Sequence, residues 1–321
     1  ALARSITQAS SKQSYMTARL LVDKDLVDDC CRAYGYFRWL DDVVDVVPAE
    51  GEAARFRDEA ISFVRRQREL IDRLYSGERP GALTPEETII ADLVGHDRGA
   101  DSGLQSFIRN FLAILEFDAH RRGRVVSQRE LAWYSNRLGR AVTDAIQYFI
   151  GNGHPYPTAD NHYLAATAAH ITHMLRDMVE DAAQGYINIP REYLEEHGIN
   201  PQDVDSPPFR AWVRERVQQA RRYFYEGKRY IDGLDVLRCK IAAHWYCARF
   251  EGLLDTIERD GYVLRARYGR PRALPTWLKM GALAASVTLQ HMTRRGRLGS
   301  RTGQRPFELE SRDHPATDRI P

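Results

Sequence analysis

Helical periodicity runs through most of this chain, and no other feature restricts its fold as strongly. Apolar residues recur every three or four positions, whereas alternating β-branched runs with Asn-Gly turns, which are typical of strands, are nearly absent. Gly and Pro residues interrupt the pattern where loops are expected. The predicted helices span residues 11–22, 24–46, 51–76, 85–97, 103–122, 128–151, 159–184, 208–231, 235–260 and 272–292. We therefore expect an all-α protein built as a single large helical bundle.

Nothing in the sequence marks an internal domain boundary. We find no repeat of 20–50 residues, and we expect one helical domain over residues 1–293, a length that a single domain can reach. Residues 294–321 are polar, contain Gly and Arg, and show little apolar periodicity. That segment predicts a mobile tail, with a basic patch for acidic surfaces as the alternative.

The composition argues against several classes of protein. The 321 residues include 46 basic and 44 acidic side chains, and a net charge of +2 gives no case for bulk nucleic-acid binding. The sequence shows no signal-peptide pattern and no apolar run of membrane-spanning length. We expect a cytoplasmic protein with at most peripheral membrane contact. The four cysteines lack CxxC spacing, which favours buried thiols over disulfides; they are Cys30, Cys31, Cys239 and Cys247.

The segment YGYFRWLDDVVD at 34–45 carries the first acidic motif. Asp41 and Asp45 are four residues apart on a predicted helix, so their side chains share one face, with Cβ atoms roughly 5–6 Å apart. Like charges at this spacing weaken a helix unless a cation neutralises them. Mg²⁺ suits this position because it binds carboxylate and diphosphate oxygens.

The segment HITHMLRDMVED at 170–181 repeats the motif with Asp177 and Asp181, and His170 and His173 lie on the same broad face. One such acidic pair is common on a solvated helix, but two pairs on largely apolar helices indicate a shared function. Facing each other, the two helices could hold Mg²⁺ ions around one diphosphate, so that an allylic C–O bond ionises. The histidines make Mn²⁺ an alternative to Mg²⁺. The four metal-ligand candidates are Asp41, Asp45, Asp177 and Asp181.

Because of these motifs and the residues around them, the chain resembles the squalene/phytoene synthase family of head-to-head prenyl-condensing enzymes. The resemblance runs from about Ser14 to Arg267 and is strongest in SYMTARLL at 14–21, YGYFRWLDDVVD at 34–45 and LRDMVEDAAQGYINIPREYL at 175–194. It implies the isoprenoid-synthase bundle with a central cavity, Mg²⁺ as cofactor and an allylic prenyl diphosphate as substrate. The positions that match substrate-binding residues of the family are Ser14, Tyr34, Arg38 and Arg267.

The chain also departs from the family pattern. The family has Gln-x-x-Asn upstream of the second motif, where this chain has His170 and His173. Its third block reads roughly YxxRxAGxVG and here becomes YSNRLGRAVT at 134–143, so that Arg140 and Thr143 replace glycines. Arg137 and Arg140 could contact phosphate or pair with Asp144 on the same helix. Two family tyrosines are replaced by Asn188 and Phe250.

These departures favour transfer of the prenyl group to a small aromatic acceptor of the indole or carbazole type. Attack on an aromatic ring ends with proton loss, for which His170 or His173 could supply a base, although both could instead ligate metal or form hydrogen bonds near the site. Tyr134 is a further candidate catalytic residue. The alternatives are head-to-head condensation of two prenyl diphosphates, a terpene cyclase whose aromatic side chains stabilise cations, and a non-catalytic member of the family.

Overall fold

The computed structural model describes residues 20–46, 51–78, 80–97, 99, 101–154, 156, 159–269 and 273–299. This part of the chain is helical, with only an isolated β-bridge between Arg124 and Tyr186. After a short 3₁₀ turn at Lys24–Leu26, the helices are α1 (Val27–Val44), α2 (Ala53–Tyr75), α3 (Pro85–Gly95), α4 (Gly103–Arg121), α5 (Gln128–Ile150), α6 (Leu164–Ala183), α7 (Arg191–His197), α8 (Pro207–Gly233), α9 (Leu237–Arg259) and α10 (Ala273–Gly299). The all-α prediction is confirmed.

Side-chain caps begin several of these helices where the sequence places Ser or Thr. Thr84 and Ser127 form capping boxes with Glu87 and Glu130 at the starts of α3 and α5. In each box the cap side chain accepts the N–H of the glutamate, and the glutamate side chain accepts the N–H of the cap residue. Ser102 caps α4 by accepting a hydrogen bond from the N–H of Gln105. These local signals explain why the predicted starts of α3, α4 and α5 agree with the structure to the residue.

The buried apolar side chains form two clusters that divide the bundle. One cluster draws mainly on α1 to α5, and the other mainly on α6, α8 and α9. Helix α5 packs against α6, and α6 packs against α8 and α9, so α6 lies along the seam between the clusters. The first acidic motif therefore belongs to one half of the bundle and the second motif to the other.

Two glycines allow α6 to lie unusually close to its neighbours. A Cβ atom added at Gly227 of α8 would lie 2.3 Å from the backbone nitrogen of Ala165. A Cβ atom at Gly139 of α5 would lie 2.2 Å from Oγ1 of Thr167. Since both partners are at the start of α6, these contacts fix where that helix enters the seam.

Several helix boundaries differ from the prediction. Helix α6 begins at Leu164 rather than 159, and the short helix α7 is missing from the helices predicted by periodicity, because its seven residues are too few to show a period. Helix α10 continues to Gly299, so it includes 294–299, which the sequence analysis assigned to the tail. Most of the predicted helix 11–22 and residues 300–321 lie outside the described residues.

The expectations about cysteines and membranes can be compared with the described part of the chain. All four cysteines are free thiols; Cys31, Cys239 and Cys247 are buried and Cys30 is half-buried. None of the described helices combines the length and the apolar character needed to cross a bilayer.

We predict that Gly227→Ala lowers the free energy of unfolding by about 1–3 kcal/mol, because the added methyl group meets backbone atoms of Ala165 that cannot move cheaply. Gly252→Ala is the matched control: Gly252 also lies inside a helix, but a Cβ atom there meets no other atom within 4 Å. The control should stabilise the protein by about 0.5–1 kcal/mol. Chemical denaturation measures both, and equal effects of the two variants would contradict the close packing of α6 and α8.

Candidate active site

The first acidic motif lies at the end of α1, as predicted. Arg38 donates to the Asp41 carboxylate at 3.1 Å and also binds Asp42. Asp45 is the residue that caps α1, and its N–H donates to the carbonyl oxygen of Asp41 at 2.8 Å. Burial raises the pKa of Asp41 to about 7, with the nearby charge of Asp45 as the next cause. Arg38 therefore offsets only part of the negative charge at this end of the helix.

A third carboxylate, Asp118 of α4, belongs to the same group, and the sequence analysis missed it. Its charge contributes to the raised pKa of Asp41, and after burial it is the largest cause of the raised pKa of Asp45. Asp118 accepts hydrogen bonds from the Tyr134 hydroxyl at 2.9 Å and from Arg121 Nε at 2.6 Å. The signal available in the sequence was weak: one more acidic residue within a largely apolar helix.

The second motif is electrostatically different from the first. Asp177 receives two hydrogen bonds from Arg176, at 2.6 and 2.7 Å, and lies 3.0 Å from His173 Nε2. Burial opposes ionisation, but the bonds from His173 and Arg176 outweigh it and hold the pKa of Asp177 well below its usual value. Asp181 lacks such pairing, and burial together with the Asp177 charge raises its pKa to about 6.

The buried Arg121 connects the two motifs. Besides bonding Asp118, it donates to Asn188 Oδ1 at 2.7 Å, and the Asn188 amide donates in turn to Asp181 at 2.7 Å. Its guanidinium also lies over the Tyr134 and Tyr186 rings, 4.7 and 5.0 Å from their centroids. One cation at the end of α4 thus reaches carboxylates in both halves of the bundle.

The segment after α6 makes a second connection. The Tyr186 hydroxyl donates to Asp45 Oδ1 at 3.3 Å. The chain can cross here because Gly185 has φ +90° and its carbonyl oxygen accepts the Gly123 N–H at 2.7 Å. Asn188, at the position of a family tyrosine, follows this crossing and bridges Arg121 and Asp181 by its two side-chain hydrogen bonds.

His170 and Tyr134 lie together at the seam. His170 is only 5% exposed, its ring centroid is 4.9 Å from that of Tyr134, and neither ring nitrogen has a hydrogen-bond partner among the described residues. Burial lowers the pKa of His170 well below its usual value, and the charges of His173, Arg121 and Arg216 add to this. The imidazole is therefore neutral near pH 7 and keeps one free lone pair.

The other predicted substrate-binding residues are more dispersed. Tyr34 is half-buried and close enough to Arg38 to raise the pKa of that arginine. Arg137 donates to Asn110 Oδ1 at 3.0 Å, and Arg140 donates to Asn136 Oδ1 at 3.0 Å. Burial raises the pKa of the Asp144 carboxyl, and the charge of Arg140 acts in the opposite direction. The predicted interaction between these two residues is therefore present as an electrostatic effect. Arg267 is exposed in the segment after α9, and Ser14 lies outside the described residues.

Two further features bear on what this site can hold. A narrow pocket lies between α5, α6, α8 and α9, lined mainly by apolar side chains together with Gln147, His162 and Tyr230; no residue of the two acidic motifs lines it. Among the residues that the structure describes, no three His, Cys, Asp or Glu side chains converge as a ready-made metal cage.

We predict that Asp41→Asn stabilises the protein in metal-free buffer, and more so at about pH 8 than at about pH 5. The folded-state pKa of Asp41 is near 7, above its unfolded value of 3.8, so the wild-type protein loses stability as pH rises between these values, and the amide removes that loss. Asp42→Asn is the control, because it removes an exposed ion pair worth about 1 kcal/mol or less. Denaturation at both pH values tests this; destabilisation by Asp41→Asn at pH 8 would contradict it.

We also predict that Arg121→Met lowers the free energy of unfolding by about 3–5 kcal/mol, because Asp118 would lose the cation that compensates its charge. The neighbouring Arg122 is the control. It is less buried and donates to the main-chain oxygen of Val46 at 2.8 Å, so Arg122→Met should cost about 1 kcal/mol. Similar losses for both variants would show that Arg121 has no special role.

Comparison with known proteins identifies the family of this chain. The family model described as squalene/phytoene synthase matches residues 7–277. The 15-cis-phytoene synthase of Synechococcus elongatus is 31% identical over 129 residues, covering 37% of this chain and 39% of that protein. The corresponding enzyme of Synechocystis sp. is 27% identical over 188 residues, covering 54% of each. The chain thus matches about half or less of the length of these relatives.

Structural comparison extends over more of the chain. The crystal structure of the squalene synthase HpnC from Alicyclobacillus acidocaldarius superimposes with a TM-score of 0.60 at 20% identity, covering 82% of this chain and 94% of that one. At this identity the likeness concerns the fold, and it confirms the predicted isoprenoid-synthase bundle. The named relatives are phytoene and squalene synthases, which are prenyltransferases. With a family model that matches most of its length, the chain belongs to the squalene/phytoene synthase family.

Proposed function

We propose that this protein ionises an allylic prenyl diphosphate at the acidic ends of α1 and α6 and joins the prenyl group to a second prenyl diphosphate. The observation that carries the proposal is that the negative charge of Asp41, Asp45 and Asp181 is only partly compensated. Arg121 and Tyr186 connect the two acidic motifs through Asp118, Asp181 and Asp45. Membership in the family supports this acceptor over the aromatic one, since the matched relatives are phytoene synthases.

The carboxylates fit Mg²⁺. They are hard oxygen donors, and they raise one another's pKa, so a divalent cation would relieve their repulsion. Mg²⁺ usually binds through one or two carboxylates plus substrate phosphates, so a preformed cage is not required. When bound, it supplies positive charge to the diphosphate leaving group. We propose Asp41, Asp45, Asp177 and Asp181 as its ligands, with Asp118 as an additional carboxylate and Mn²⁺ as an alternative ion.

The protein's own residues would prepare the site in three ways. Arg38, which lies beside Asp41, could move its guanidinium to diphosphate oxygens. Arg121 holds Asp118 and, through Asn188, Asp181 in fixed positions. His170 stays neutral at the seam, so it adds no positive charge that would repel an allylic cation.

Transfer to a small aromatic acceptor is the second candidate function. The observation that favours it is the buried, neutral His170, which occupies the position of a family glutamine and has no hydrogen-bond partner among the described residues. A free imidazole lone pair can accept the proton that a prenylated aromatic ring releases. The exposed His173 is the alternative base, although it already contacts Asp177.

A product assay separates the two functions. The purified protein would be incubated with Mg²⁺ and allylic diphosphates of five, ten, fifteen and twenty carbons, with and without a pool of indoles and carbazoles, and the products analysed by mass spectrometry. We expect a hydrocarbon made of two prenyl units without any added acceptor. An acceptor carrying one prenyl unit, with no such hydrocarbon, would replace the leading proposal by the second.

We predict that Asp41→Ala and Asp181→Ala each reduce turnover about a hundredfold or more while the protein stays folded, because each removes a carboxylate that the diphosphate site requires. Glu59→Ala is the control: Glu59 forms an exposed ion pair with Arg55 on α2, and its loss should leave turnover unchanged. Steady-state kinetics and thermal melting would be measured on all three variants. Near-normal turnover in either Asp variant would contradict the two-helix site.

A further inference from the structure

A separate cleft opens beside α8, which we call the Arg216 cleft. Its volume is about 470 Å³, and its walls include Pro190, Tyr193, Trp212 and Arg216. None of the carboxylates joined by Arg121 lines it. The cleft is therefore distinct from the acidic site, and the proposed prenyl transfer does not account for it.

Arg216 has an unusual environment for an arginine. It is half-buried, donates one hydrogen bond to Gln219, and lies 5.9 Å from the ring centroid of Trp212. Among the described residues, no Asp or Glu forms an ion pair with it. Burial lowers the pKa of Arg216 to about 10. A partly buried guanidinium without an ion-pair partner is unfavourable, so an anion bound directly to it would complete the site.

The surroundings indicate which anion. Glu192, Glu196 and Glu215 are exposed and line the same cleft, so they would repel a multiply charged anion such as diphosphate. A single carboxylate matches one guanidinium, which can bind both of its oxygens. The rest of the lining is mostly polar; Trp212 is only 4% exposed and the Tyr193 ring is stacked on His197. We propose that the Arg216 cleft binds a small monocarboxylate, held by its carboxylate on Arg216.

The cleft also has a connection to the seam. The charge of Arg216 contributes to the lowered pKa of the buried His170, so the two groups interact electrostatically. A carboxylate on Arg216 would neutralise that charge and change the electrostatic environment of His170. Binding itself requires neither a prenyl donor nor a metal ion, so this inference can fail or hold independently of the proposed function.

Isothermal titration in metal-free buffer tests the proposal, with naphthoate as the probe, its uncharged amide naphthamide as the matched ligand, and inorganic pyrophosphate as the multiply charged anion. We expect the wild-type protein to bind naphthoate at least about tenfold more tightly than naphthamide, and R216Q to lose that difference. R216K keeps the positive charge but loses the planar guanidinium that binds both carboxylate oxygens, so it should bind naphthoate with intermediate affinity. R214Q, which removes an exposed arginine of α8 that does not line the cleft, should bind naphthoate within about twofold of wild type.

Three results would overturn the proposal: no naphthoate binding by the wild-type protein, equal affinity for naphthoate and naphthamide, or unchanged naphthoate affinity in R216Q. Pyrophosphate binding that depends on Arg216, without naphthoate binding, would assign the cleft to a different anion and equally reject the monocarboxylate. Thermal melting checks that R216Q is folded. If it is not, the comparison of naphthoate with naphthamide on the wild-type protein still decides the question.

Discussion

The buried guanidinium of Arg121 is the interaction on which the rest of the site depends. Carboxylates from α1, α4 and α6 meet where two halves of the bundle join, and like charges in a partly buried place repel one another. Arg121 bonds Asp118 directly and reaches Asp181 through Asn188, so it compensates charge on both sides of the seam. The raised pKa of Asp181 indicates that compensation by Arg121 is partial, and the pKa of Asp41 is raised although Arg38 binds it. The remaining negative charge would attract a divalent cation, and that cation would in turn bind the diphosphate.

The two acidic motifs have the same spacing but different electrostatic states. Asp177 is fully engaged by Arg176 and His173, whereas Asp41, Asp45 and Asp181 are not compensated to the same degree. If Asp177 ligates a metal, the metal competes with Arg176 and His173 for the carboxylate oxygens. Asp41, Asp45 and Asp181 are therefore the carboxylates best prepared to receive a cation, and Asp177 would join them only after its side chain is released.

Local patterns in the sequence predicted much of the structure. Periodicity and the Gly and Pro residues between the periodic segments identified the long helices, and the four-residue spacing indicated which acidic residues lie together. Contacts between residues that are distant in the chain could not be predicted from such local patterns. Asp118 and Arg121 both lie on α4, whereas Asn188 follows α6, and only the packing of these helices and the crossing after Gly185 bring Asn188 to Arg121. The cleft around Arg216 was missed for the same reason, because its walls combine α8 with the segment at Pro190.

The most direct test of the central claim is isothermal titration of the protein with a non-reactive thio-diphosphate analogue of an allylic substrate, with and without Mg²⁺. If the carboxylates of α1 and α6 form one diphosphate site, binding should require Mg²⁺ and should be lost in both Asp41→Asn and Asp181→Asn, which alter opposite sides of the seam. Binding that persists without Mg²⁺, or that survives either substitution, would contradict a shared site between the two acidic helices.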